Sequence, residues 1–162
     1  MKLFAVLVAA SLATLPVRAA ALSPENITQE VKKHGAHDVV AWLLAHGDYD
    51  RVMDKIDTGD RQWVMLAPLL APGADAGAAE ELPIALAFAL PRNPEAVLSV
   101  VGGKDGFPVE DVCGAPFIEG TVDNIPAYIK KAERAVAHVS EPQLTDVKAK
   151  CLDALKKAAA AS

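Results

Sequence analysis

Basic side chains are few in this chain and nowhere form a cluster. Lys and Arg number 16 against 21 Asp and Glu, for a formal net charge of -5 over 162 residues. A nucleic-acid partner needs a clustered basic face, so that class is excluded. Long apolar runs are also missing beyond the first segment. No stretch after residue 21 reaches the roughly 20 apolar residues that a membrane span needs. Alternation with period two never lasts long enough to mark a strand. Nucleophilic chemistry lacks its parts. There is no GxSxG, and beyond residue 21 the only serines are Ser23, Ser99, Ser140 and Ser162. Two of these stand at helix starts and one is the last residue, so no activated serine is indicated. HExxH is absent too, and only four histidines occur.

The first 21 residues have the layout of a secretory signal. Lys2 is the positive end, residues 3–15 form the apolar run, and small residues follow. Cleavage is expected after Ala19 or Ala21, leaving one domain over residues 22–162 in the periplasm or outside the cell. The remaining chain carries a net charge of about -7, which suits a basic protein partner better than an acidic one. The charge is uneven. Residues 22–121 hold 16 acids against 7 Lys and Arg, and residues 122–162 hold 5 against 7.

Two cysteines remain, Cys113 and Cys151. In an exported protein an even count reads as a disulfide. Closing a loop of about 39 residues would stabilise the fold by roughly 4 kcal/mol.

Residues 73–90, GADAGAAEELPIALAFAL, are the stretch around which the rest is organised. Beyond Glu81 this segment has no polar face, so as a helix it must be covered on all sides. Asp75 is its expected cap, Pro83 allows it only with a kink or a late start, and Pro91 ends it. The flanking chain reads as further short helices. Ser23-Pro24-Glu25 opens one that stops at Gly35, and HDVVAWLLAH stops at Gly47. Asp48 and Asp60 are expected to cap the next two, the second shortened by Pro68. Asn93-Pro94 opens another. Residues 103–120 read as an irregular loop with one helical turn after Pro108, folded back and pinned by Cys113. Thr121 or Asp123 should start the following helix. Ser140 to Gln143 has the capping-box pattern ahead of the last one, whose apolar stripe includes Cys151. Trp42 and Trp63 both read as core residues, with an aromatic anchor for a partner as the alternative. The fold class is therefore all-α, a compact bundle or short solenoid-like stack of about six to eight short helices. Residues 39–56 faintly echo residues 84–101, but any two capped helical hairpins share that pattern.

Two candidate sites emerge. The acidic run Asp48, Asp50, Asp54, Asp57 and Asp60 is the candidate surface for a protein partner. It does not make a calcium loop, because Val52 and Met53 fall where an oxygen ligand and a glycine are required. The second is a ligand cluster drawn from His34, His37 and Asp38, or from the turn carrying Asp75, Glu80 and Glu81. A zinc site needs three or four converging ligands, and Gly35 interrupts the helix that would orient the two histidines. No cofactor and no metal are expected. The leading expectation is a non-catalytic binding protein, such as an inhibitor, an immunity-type protein or an adaptor of the envelope. A small-ligand or metal-binding protein is the alternative. A hydrolase using Asp75, Glu80 or Glu81 has the least behind it, since no other catalytic part accompanies those carboxylates.

Overall fold

The computed structural model describes residues 22–117 and 121–161. The expected signal segment lies outside the described residues, as do residues 118–120. The described chain is all-α, and its apolar side chains form one continuous core. Among the described residues no charged side chain is buried, and the one buried hydroxyl, that of Tyr49, is hydrogen-bonded. The helices are α1 (Pro24–His34), α2 (Ala36–His46), α3 (Tyr49–Asp57), α4 (Arg61–Val64), α5 (Ala67–Leu70), α6 (Ala76–Ala89), α7 (Pro94–Leu98), α8 (Val109–Cys113), α9 (Ile125–Ala137) and α10 (Thr145–Ala161).

The first half follows its local signals closely. Ser23 caps α1 by accepting from the Asn26 N–H at 3.3 Å. Gly35 sits between α1 and α2 with φ 87°, a conformation that favours glycine. Gly47 closes α2 in the left-handed region. Asp60 caps α4, accepting from Gln62 N–H at 2.9 Å and from Trp63 N–H at 3.4 Å. Pro68 divides the expected fourth helix into α4 and α5. Asp48 departs from expectation. Its backbone is helical, with φ -94° and ψ -12°, whereas a cap needs an extended residue. Its N–H bonds back to the Leu43 carbonyl, and its carboxylate pairs with Arg51 instead.

α6 is the centre. It contributes Ala78, Leu82, Ala85, Leu86, Ala87 and Ala89 to the core, more buried residues than any other helix described. It packs against α3, α7 and α8. Pro83 lies inside it and Pro91 just beyond it, so two turns lack an N–H donor. The only two tyrosines of the chain both reach its backbone. Tyr49 donates its hydroxyl to the Ala78 carbonyl at 2.6 Å, and Tyr128 donates to the Ala87 carbonyl at 2.8 Å. Ala87 is the residue whose helical partner would have been the N–H that Pro91 does not have. Burial pushes both hydroxyls well above the ordinary tyrosine range, so they remain donors at any physiological pH. Asp75 precedes α6 in extended conformation but makes no capping bond. Ala76 follows it with φ 36°, which breaks the cap geometry. Ile84 and Phe88 are only half-buried, so the covering of α6 is incomplete along that stripe.

The turn after α6 is stitched to the end of α3. Asn93 caps α7 through Ala96 N–H at 3.1 Å and donates to the Gly59 carbonyl at 2.8 Å. Arg92 donates to the Asp57 carbonyl. Asn93→Ala removes both bonds of that side chain. It should cost about 2 kcal/mol, the sum of a lost cap and a lost hydrogen bond, read from urea unfolding.

After α7 the chain forms the expected irregular loop. Phe107 N–H bonds to the Val100 carbonyl and Gly102 N–H to the Phe107 carbonyl, which folds the loop back on itself. α8 then carries Cys113 to Cys151 of α10, and the two form a disulfide with a Cα–Cα distance of 5.3 Å. Phe117 wedges between Phe88 and Tyr128, at ring distances of 4.8 and 4.6 Å. α9 is started by neither Thr121 nor Asp123. Asn124 caps it, accepting from Ala127 N–H at 2.8 Å. The capping box at Ser140 does not form either. Pro142–Leu144 make a 3-10 turn that delays α10 to Thr145, and Glu141 accepts from the Ser140 N–H.

Candidate binding surfaces

The acidic run is distributed over several tasks. Asp48 holds Arg51, Asp60 caps α4, and Asp57 is half-buried beside Arg92. Asp50 and Asp54 remain exposed on α3. Packing of α3 on α6 brings Asp50 towards Glu81, whose carboxyl is raised first by desolvation and then by the Asp50 charge. The sequence placed Asp50 and Glu81 in two separate candidates, and the fold joins them. No local signal could have done so, because the contact depends on how two helices dock.

Burial pushes the Asp57 carboxyl up to about 6, with the Asp54 charge adding to it and Arg92 opposing it. A carboxyl raised above its unfolded value of roughly 3.9 favours the fold at low pH, and that contribution is lost as pH rises through about 6. Asp57→Asn should therefore melt higher than the parent at pH 7.5. The advantage should shrink as pH falls and disappear below about 4, as thermal melts across pH would reveal.

The histidine candidates do not converge. His34 lies 3.4 Å from Glu30, and His37 lies 3.5 Å from its neighbour Asp38. Among the described residues no three His, Cys, Asp or Glu are grouped to hold a metal ion. Asp75, Glu80 and Glu81 are all exposed around the start of α6. An open groove of about 450 Å³ lies elsewhere, between α1 and α4. Lys32, Arg61, Gln29 and Gln62 line it, with Glu25 and Met65 among its other walls. Arg61 also acts on Glu95, whose carboxyl is raised by its hydrogen bond to Glu141 and by the charge there.

Trp63 is partly buried against the core as expected. Trp42 is not a core residue. It is 51% exposed, and Leu44 is 46% exposed. The buried stripe of α2 is Val39, Val40 and Leu43, and positions 42 and 44 fall to either side of it. Trp42 stacks on His46 with ring centroids 4.3 Å apart, and His46 Nδ1 lies 2.8 Å from the Trp42 carbonyl oxygen. Wheel geometry alone could have placed Trp42 off the stripe. Among the described residues no helix is long and apolar enough to cross a membrane. Comparisons with protein-family models, with curated proteins and with solved structures found no match to this chain.

Proposed function

We propose that this chain is exported, loses residues 1–21, and acts in the periplasm or outside the cell by binding another protein. It would serve as an inhibitor, an immunity-type protein or an adaptor, with no catalysis of its own. Export is supported by the secretory layout of the first segment and by the closed Cys113–Cys151 disulfide. The observation that carries the binding reading is the approach of exposed Asp50 on α3 to exposed Glu81 on α6, with exposed Asp54 one turn along α3 from Asp50. Such a face repels acidic molecules and steers a basic partner into contact.

The test is cross-linking of the tagged chain in the intact envelope, followed by association kinetics with the protein recovered. Asp50→Asn, Asp54→Asn and Glu81→Gln together should slow association at least about tenfold and flatten its salt dependence. Unchanged rate and salt slope would remove this face from the account. Retention of an uncleaved, reduced chain in the cytoplasm would remove export.

A further inference from the structure

We propose that acid closes this fold rather than opening it, so that the chain keeps its native packing from neutral pH down to about pH 3. Acid unfolds most proteins for two reasons. Carboxylates that hold the native state through their charge must be protonated, and histidines buried in the neutral form must take a charge. Neither reason applies to this chain. All four histidines are exposed. Among the described residues every ion pair joins residues no more than four apart, as Glu30 and His34 do in α1 and Asp146 and Lys150 do in α10. Such pairs brace the local chain at solvent, where they add little. The ties between distant elements use groups that acid leaves alone. Tyr49 and Tyr128 give neutral hydroxyls to α6, and Asn93 gives its amide to the Gly59 carbonyl. Cations that reach across elements also end on peptide oxygens. Arg92 donates to the Asp57 carbonyl, and Lys148 donates to the Ala137 and Val139 carbonyls at 2.8 and 2.7 Å.

Where carboxyls approach across elements, they approach each other. Glu81 of α6 is raised by burial and then by the charge of Asp50 on α3. Glu95 of α7 shares a hydrogen bond with Glu141, ahead of α10, and two carboxyls share one only while either holds a proton. Asp57 is raised to about 6 by burial, against the pull of Arg92 and with the Asp54 charge adding to it. Attraction across elements is the smallest influence at Glu95, from Arg61, and at Lys157, from Glu110. A carboxyl raised by folding binds its proton more tightly in the native state. Stability is therefore gained as pH falls through the folded value, and the gain is complete below the unfolded one, at about 4. Further down, repulsion among the 14 Lys and Arg and four His beyond residue 21 sets the limit.

Calorimetric melts of the purified, disulfide-bonded protein at about pH 7.5 and about pH 4.5, in roughly 0.15 M salt, test the proposal. The lower pH should give the higher melting temperature, by about 5 °C. The disulfide does not titrate and is present in both measurements, so it drops out of the difference. The near-ultraviolet circular-dichroism signal, which reports fixed side-chain packing, should persist at about pH 3. Asp57→Asn, Glu81→Gln and Glu95→Gln together should bring the two melting temperatures close to each other. A parent that melts lower in acid would overturn the proposal, as would loss of the near-ultraviolet signal at about pH 3. A triple variant that gains as much from acid as the parent would overturn it as well, because the gain would then come from other groups.

Discussion

Replacing both cysteines, Cys113→Ala with Cys151→Ala, is expected to lower the unfolding free energy by about 4 kcal/mol. The bridge joins residues 38 apart in sequence, so it removes a large share of the freedom of the unfolded chain between them. Its first end, Cys113, closes α8, a single short helix that follows an irregular stretch running through Gly102, Gly103, Gly106 and Pro108. Little in that stretch would order itself without the tie. Both cysteines are fully buried against the core, so the alanines also leave unfilled space, which adds to the loss. Urea unfolding followed by circular dichroism gives the figure directly. A loss below about 1 kcal/mol would mean that packing of α8 on α6 and α10 holds the loop unaided. Because the sulfurs are shielded from solvent, reduction of the native protein should be slow until the fold opens.

The second large effect is expected at Gly73, which ends the 3-10 turn Ala71–Gly73. Its backbone lies directly on the first peptide of α2. A Cβ there would stand 2.3 Å from the Ala36 carbonyl carbon and 2.5 Å from the His37 nitrogen. These are backbone atoms at a helix start, and no side-chain rotation relieves the overlap. Gly73→Ala must push the turn away from α2 and should cost about 3 kcal/mol, at the upper end for overpacking. Gly77 supplies the internal control. It lies in the first turn of α6, and a Cβ there meets nothing within 4 Å. Gly77→Ala should raise stability by about 0.5 kcal/mol, because alanine has less freedom to lose on folding. Calorimetric melts of the two variants should shift in opposite directions. A shift of the same sign in both would contradict the close approach of turn and helix.

The parts of the fold that were legible in sequence are those set by local chemistry. Gly35, Gly47 and Pro91 stop helices through their own backbones, and Ser23, Asp60 and Asn93 cap as expected. The disulfide followed from two cysteines and the expectation of export. Three expected caps fail, at Asp48, Asp75 and Ser140. Capping needs extended backbone at the residue itself, with helical N–H groups in reach just after it. At all three the surrounding turn decides that, not the side chain. The candidate surface was legible only in part. Asp50 and Asp54 could be read from α3, but the approach of Asp50 to Glu81 is a product of docking. The same holds for the hydroxyls of Tyr49 and Tyr128, which cross 29 and 41 residues to reach α6. Trp42 was misplaced because its apolar neighbours outweighed its angle on the helix.

All of these contacts make α6 the element on which the rest of the chain depends. Proline weakens it at two turns, tyrosines from α3 and α9 take up its carbonyls, and α7 and α8 close on it. Native-state hydrogen exchange in increasing urea tests this most directly. The amides of Leu86, Ala87 and Ala89 should exchange only through global unfolding, with the free energy and urea dependence of the whole molecule. Exchange of those amides through a cheaper local opening, while α3 and α9 stay protected, would contradict the account.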